Sequence, residues 1–193
     1  MTATPFGVPI GGTSWRPEIY LTAVERERAE KEWSAGRWPR VLVNIAAGEP
    51  RRRWPAQRVV AVISAVRRLA SDSAALVMAP PSEHVEAERI ADESGARAVV
   101  PGLRDAMALV ESADVVFTPD TSIAHAASAF AKPSVVMMIG GSGIFEPFET
   151  PGRFVYSPGP TLESLEATPV IDALETVLRD VLADPARQES RRR

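Results

Sequence analysis

Asp120, Thr121, Ser122 and His125 bring an acid, two hydroxyls and one of the two histidines of the chain into a single short segment. Val115-Val116-Phe117 before it is β-branched and aromatic and reads as a buried strand. Ala126, Ala127, Ala129, Phe130 and Ala131 after it read as a helix. The polar group therefore stands at the carboxyl end of a strand and in the first turn of a helix. Backbone N–H groups at a helix start bind phosphate, and the helix dipole adds ~0.3–1 kcal/mol per charge at exposed sites. Capping alone needs one residue, Asp120 or Thr121, with His125 on the surface one turn on; three successive polar side chains exceed that need.

Three other stretches carry chemistry-capable residues. The segment AAGEPRRRWP, 46–55, holds Arg51, Arg52 and Arg53, the only arginine triplet outside the tail. Guanidinium groups offer paired donors that match phosphate oxygens, although a charge run also suits a plain solvated loop. Glu83 follows Pro80-Pro81-Ser82. It either favours the dipole of a helix capped by Ser82 or accepts hydrogen bonds from ribose hydroxyls. Gly140-Gly141-Ser142-Gly143-Ile144 suits a turn or the close approach of a ligand.

Several chemistries fail on these residues. Gly140 to Ile144 nearly spells a nucleophile elbow, but Ile144 replaces the last glycine and Phe145-Glu146-Pro147-Phe148 does not continue as a helix. Asp-Thr-Ser echoes aspartic proteases, which need two paired carboxylates in a β fold. His84 and His125 form no compact ligand set, and no cysteine assists them, so no metal site is expected. Neither a Walker A motif nor G-x-G-x-x-G is present.

The elements that must position these residues alternate. Strand-like runs occur at Val41 to Ile45, Ala75 to Met78, Ala98 to Val100, Val115 to Phe117, Val135 to Ile139 and Phe154 to Tyr156. Helical patterns lie between most of them, at 55–70, 82–94, 103–112 and 121–130, and a last amphipathic helix spans about 169–182. Continuous apolar strands separated by helices predict a parallel sheet covered on both faces, a Rossmann-like doubly wound α/β domain. Its ligands bind outside the carboxyl ends of the strands. Thr22 is positioned to cap a helix running to Trp33, in which Glu25 with Arg28 and Glu27 with Lys31 have pairing distance. The expected organisation is an arm and linker helix over 1–38, the sheet domain over 39–183 and a polar tail over 184–193.

Composition narrows the classes further. At 193 residues and 45% hydrophobic, the chain suits one core rather than two. A net charge of −3 and a pI near 5.5 give no global field for nucleic acid or an anionic membrane, so any anion site is local. Without cysteine there is no disulfide and no thiolate chemistry. No apolar run approaches the ~18 residues of a transmembrane helix, and the first residues lack a signal pattern, so a cytoplasmic location is expected.

From about Val41 to Leu182 the chain resembles the carboxyl-terminal half of the glycosyltransferase family 9 enzymes, the heptosyltransferases of lipopolysaccharide core assembly. Arg52-Arg53-Trp54-Pro55 stands where the family has Lys-x-Trp-Pro. Asp120-Thr121-Ser122-Ile123-Ala124-His125, followed by Lys132-Pro133, stands where it has Asp-Thr-Gly-x-x-His. A glycine loop with a later proline, Gly140 to Pro147, completes the likeness. The resemblance implies one half of a GT-B fold that binds a nucleotide-diphosphate sugar, an ADP-sugar, for transfer to a hydroxyl acceptor. Arg52 would contact the diphosphate, and Asp120, Thr121, Ser122 and His125 would line its phosphate and sugar end. Glu83 would meet the ribose. No metal is implied, because Arg52, His125 and the helix start offset the charge of the leaving group. Ser122 in place of glycine crowds the closest backbone approach, and arginine for lysine at 52 changes the contact geometry. The general base belongs to the other half of the family's fold, in another chain or a longer precursor, and no residue here matches it. The alternatives are a non-catalytic nucleotide-sugar sensor or assembly subunit, and an unrelated Rossmann-type enzyme such as a sugar-nucleotide epimerase half.

Overall fold

The computed structural model describes residues 16–35, 37–140 and 150–187. The apolar runs form the strands β1 (Arg40–Asn44), β2 (Ala74–Met78), β3 (Arg97–Val99), β4 (Val115–Pro119), β5 (Ser134–Ile139) and β6 (Gly152–Ser157). Every residue of β1, β2 and β4 is buried, and in β5 all but Ile139. The outer strands β3 and β6 are partly exposed. That gradient is what a parallel sheet covered on both faces requires, since only its edges meet water. The order is β3-β2-β1-β4-β5-β6, parallel throughout, with Val41 opposite both Ala75 and Val115. The expected doubly wound, Rossmann-like α/β architecture is the one observed. Sequence-adjacent crossovers run outward in both directions from β1 and β4, so the switch point lies between those two strands.

The helices are α1 (Ala23–Glu32), α2 (Ala56–Leu69), α3 (His84–Ser94), α4 (Leu103–Ser112), α5 (Ser122–Ala129) and α6 (Ala167–Ala183). Side-chain alternation along the strands builds two large cores and a small third cluster of Ala124, Val136 and Met138. Val41, Val43 and Phe117 pack with Val62, Ile63, Ile90 and Leu178, under α2, α3 and α6. Leu42, Leu76 and Val116 pack with Leu109, Ala127 and Trp33, under α1, α4 and α5. Each of the larger aliphatic side chains so buried contributes ~1.5–3 kcal/mol relative to exposure.

The helix read as a linker is docked on α4. Thr22 caps α1 as expected, within a capping box completed by Glu25. Lys31 meets Glu27 at 2.8 Å, as their spacing predicts. The anticipated pairing of Glu25 with Arg28 does not form: Glu25 meets Arg104 at 2.7 Å and Arg28 meets Asp105 at 2.7 Å. Partners on α4 displace the intrahelical pairing because Ala29 and Leu21 are buried against that helix and turn the charged side chains toward it. Ser134, which starts β5, approaches Gly152 so closely that a Cβ there would lie 1.8 Å from its carbonyl oxygen, and Gly152 has φ +140°. No other residue fits that position without moving β6.

The Arg104 guanidinium, followed by the Thr22 backbone N–H, holds the Glu25 carboxyl at about 2, below its ordinary 4.5. A carboxyl with a depressed folded-state pKa stabilises above its unfolded value and loses that contribution as pH falls through the folded one. Glu25→Gln therefore lowers the melting temperature at pH 7. The gap to the parent closes between about pH 4.5 and about pH 2, as thermal unfolding across that range will show.

Candidate functional site

Parallel strands send all their carboxyl ends to one rim, and the loops there hold the residues singled out in the sequence. At the end of β1, Asn44 is 1% exposed. Its Nδ2 donates to Thr118 Oγ1 at 2.9 Å and Thr121 Oγ1 at 3.3 Å, and its Oδ1 accepts from the Ala46 N–H at 3.2 Å. At the end of β4, the Asp120 N–H donates to the Met137 carbonyl at 2.9 Å. Thr121 then caps α5, its hydroxyl accepting from the Ile123 N–H at 3.3 Å.

The arginine triplet divides three ways. Arg51 pairs with Glu49 in its own loop at 2.5 Å. Arg52 crosses the switch point, its Nη1 donating to the Asp120 carbonyl at 2.6 Å and lying 3.2 Å from Asp120 Oδ2. Arg53 turns the other way and meets Glu83 at 2.9 Å. The loop can hold this division because both its ends are fixed. Pro50–Arg52 forms a 3-10 turn. Next to it, Trp54 is buried against Phe117 with ring centroids 5.8 Å apart, and its Nε1 donates to the Leu165 carbonyl at 2.8 Å. Pro55 stands at the N-cap of α2 rather than within its first turn. The Trp-Pro pair thus anchors the loop while the preceding arginines project from it.

Between the two loops lies a cavity of about 270 Å³ lined by Asn44, Ala46, Arg52, Asp120, Thr121 and Ser122. Arg52 and Asp120 have side chains 30% and 13% exposed, so their ion pair stands at a wet rim rather than in a dry interior. Both Arg52 contacts run from Nη1. Among the described residues, Nε and Nη2 of Arg52 and the N–H of Ser122 have no hydrogen-bond partner. A guanidinium beside the free opening N–H of a helix, at the edge of an open cavity, is an arrangement that suits an anion.

The remaining candidates are placed differently. Glu83 lines a neighbouring cavity of about 270 Å³ with Arg53, Trp54, Ile45 and Glu86, not the one beside Asp120. Burial pushes its carboxyl up, the Arg53 guanidinium opposes this, and Glu86 adds to it. Ser82 does not cap the helix after it: Pro81–Glu83 forms a 3-10 turn, α3 starts at His84, and Glu83 at the N-cap makes no side-chain capping bond. The consecutive prolines favour that tight turn and move the helix start two residues on. His125 is exposed on α5, one turn beyond Ser122, and does not line the cavity. The glycine loop expectation falls on 141–149, outside the described residues apart from Gly140. Among the described residues, no three His, Cys, Asp or Glu side chains are placed to hold a metal ion, and no helix is long and apolar enough to cross a membrane.

Two residues of the site escape a motif search, Asn44 and Thr118. The signal for them was a polar side chain ending an otherwise apolar strand run, Val41-Leu42-Val43-Asn44 and Val115-Val116-Phe117-Thr118. A buried amide must find partners, and these partners are the loops on either side.

Residues 1–138 match glycosyltransferase family 9 (heptosyltransferase). No curated protein sequence matches the chain. Among solved structures, a family 9 glycosyl transferase from Veillonella parvula superposes with TM-score 0.75 at 16% identity, over 87% of this chain and 55% of that one. The E. coli ADP-heptose lipopolysaccharide heptosyltransferase II gives TM-score 0.73 at 17% identity, over 91% and 57%. An E. coli heptosyltransferase solved with ADP-2-deoxy-2-fluoro heptose gives 0.66 at 18%, over 90% and 52%. The chain thus shares the fold of these glycosyltransferases and spans about half their length.

Removing Arg53 leaves the Glu83 carboxylate without its partner. Arg53→Ala raises the Glu83 pKa further above its ordinary value and destabilises the fold at pH 7 by on the order of 1 kcal/mol, a figure kept small because the Arg53 side chain is more than half exposed. A carboxyl with a raised folded-state pKa opposes folding above that value, so the loss shrinks as pH falls through it. Side-chain NMR titration and denaturant melts at several pH values check both effects.

Proposed function

The chain belongs to glycosyltransferase family 9, and on that premise we propose that it is the donor-binding unit of a glycosyltransferase, holding the diphosphate of a nucleotide-sugar in the cavity between Arg52 and the start of α5. The observation that carries this reading is the contact of Arg52 across the switch point, which aims a cation at an open cavity beside the unpartnered N–H of Ser122. In the transfer, the acceptor hydroxyl oxygen attacks the anomeric carbon and the bond from that carbon to the diphosphate oxygen breaks. Charge then builds on the leaving diphosphate. Arg52 and the Ser122 amide are donors aimed at that charge, and such preorganised donors stabilise the transition state more than the ground state. Asp120 keeps Arg52 aimed and offers carboxylate oxygens to sugar hydroxyls; Thr121 fixes the helix start. Ser122, exposed at the rim, narrows the approach on the sugar side. His125 extends the same face one turn outward toward the sugar. Glu83, in the neighbouring cavity, is suited to accept from ribose hydroxyls once Arg53 shifts.

The nucleoside we favour is adenosine, because two of the most similar solved structures are named for ADP-heptose or contain an ADP-sugar. The proton of the acceptor hydroxyl goes to a general base supplied by a separate acceptor domain. Two observations favour such a domain. The chain spans about half the length of its structural relatives. In addition, Tyr20, Val24, Val85, Val100 and Leu103 are exposed apolar residues at the starts of α1, α3 and α4 or just before them. The α1 and α4 starts are joined by Arg104, which bonds Glu25 and the Tyr20 carbonyl. These residues border the rim that carries the site, and an apolar border of this kind fits a facing protein surface. The cytoplasm, where nucleotide-sugars are made, is the location this function requires.

Thermal-shift titration with ADP, UDP, GDP and their sugars tests the reading. At equal ligand concentration the adenine compounds should give the largest stabilisation, reaching ~2.7 kcal/mol at 100 times their Kd. Arg52→Ala removes one charge-assisted bond and weakens binding about tenfold or more. If no nucleoside diphosphate or nucleotide-sugar stabilises the protein, the reading is wrong.

A further inference from the structure

Beneath the rim of the cavity one polar group is sealed from solvent. Asn44 is 1% exposed, Thr118 is 0% exposed, and the two meet at 2.9 Å. In a strand whose other members include Val41, Leu42 and Val43, an unpartnered amide would be costly. Here both its donor and its acceptor functions are engaged. The donor side bonds Thr118, the last residue but one of the neighbouring strand, and Thr121, which caps α5. The acceptor side holds Ala46, at the start of the loop that delivers Arg52. Thr118 and Thr121 share a further hydroxyl contact at 3.2 Å, so Asn44 and the two threonines form one closed network to which Ala46 is tied.

We propose that Asn44 is the positioning residue of the diphosphate site: its amide ties the loop that carries Arg52 to the cap of α5, and so fixes the spacing between guanidinium and helix amides before a ligand arrives. The proposal rests on the diphosphate reading of the cavity given above. The network lies at the switch point itself, where β1 and β4 are neighbours but their loops leave toward opposite faces of the sheet. Main-chain ladder bonds end at the strands, so only a side chain can link the two loops below the cavity. Asparagine can do so because it donates twice in one direction and accepts in the other. A leucine of similar volume fills the space and links nothing. An aspartate retains the acceptors and loses the donors until it is protonated, when it again presents an O–H and a carbonyl oxygen. Burial raises the pH at which that protonation occurs.

The probe is inorganic pyrophosphate, measured by calorimetry on the full chain from about pH 8.5 down to about pH 5.5, with each variant expressed as its affinity ratio to the parent at the same pH. The charged groups bordering the cavity, Glu49, Arg52 and Asp120, are common to parent and variant and cancel in that ratio. Asn44→Leu should bind about tenfold more weakly at every pH. Asn44→Asp should be at least as weak at the alkaline end and should recover toward the parent as pH falls. A generally loosened structure would weaken binding by the same factor whether or not Arg52 is present. In an Arg52→Ala background, Asn44→Leu should change affinity less than about twofold, because the group it positions is gone. Folded variants at residue 44 that bind within about twofold of the parent at all pH values, or effects of residues 44 and 52 that simply add, overturn the proposal. If the residue 44 variants do not fold, Thr118→Val removes one acceptor of the same amide and should give a smaller loss in the same direction. Unchanged binding by Thr118→Val then overturns the proposal too. A parent protein that fails to bind pyrophosphate removes the diphosphate reading itself, whereas a binding parent with unaffected variants removes only the role of Asn44.

Discussion

The site depends on a geometric constraint of the parallel sheet: β1 and β4 pair in register, yet the connections from them leave to opposite faces. Neighbouring strands sit ~4.8 Å apart, too close for anything but backbone to lie between them. Above their carboxyl ends, where the loops diverge, a gap must open. That gap is the cavity beside Arg52 and Thr121. Every helix that starts at this rim points its N–H groups toward it, so an anion finds favourable dipoles there before any side chain is considered.

Arginine turns that general tendency into a site. Of three consecutive guanidinium groups, one satisfies a carboxylate in its own loop, one crosses to the start of α5, and one turns to Glu83. The division assigns each cavity its own character. The cavity between Arg52 and α5 combines a partly exposed cation with helix amides. The neighbouring one combines the apolar bodies of Ile45, Trp54 and Ile90 with the carboxylates of Glu83, Glu86 and Glu163. On the proposed reading the first, despite Glu49 and Asp120 in its lining, takes the diphosphate through Arg52, and the second, which also holds Arg53, takes a hydroxylated ring. Trp54 serves both, since its indole is buried against Phe117 and holds the backbone from which the arginines diverge.

Rim stability and site geometry are coupled through buried polar groups rather than through the apolar cores. The cores under the two faces of the sheet fix where the strands end, and they tolerate exchange among aliphatic residues of similar volume. The network of Asn44, Thr118 and Thr121 has less tolerance, because Asn44 and Thr118 are buried, Thr121 is half-buried, and the amide and hydroxyl groups depend on one another for partners. The docked α1 adds a second layer. Its ion pairs with α4 extend the rim past the sheet edge, where Tyr20, Val24 and Leu103 leave an apolar border.

The architecture was legible in the sequence because parallel strands buried on both faces must be continuously apolar, and the runs from Val41 to Tyr156 left no other sheet possible. The cap at Thr22 was legible, whereas at the start of α5 the sequence left Asp120 and Thr121 open and the fold assigns Thr121; the family was legible in the ordered Arg-x-Trp-Pro and Asp-Thr-Ser-x-x-His segments. Ion pairing was legible only in part: spacing gave Lys31 to Glu27, but where it offered Arg28 to Glu25, α4 supplied Arg104, since intrahelical pairs gain only ~0.5 kcal/mol at most and yield to a docked neighbour. Nor could spacing show that adjacent arginines serve separate cavities, that His125 stands outside the first of them, or that Asn44 closes a network with residues more than seventy positions away. Local propensity and periodicity act over a few residues and are written in the chain. Which side chains meet across the switch point is settled by strand order, a property no short stretch of sequence contains.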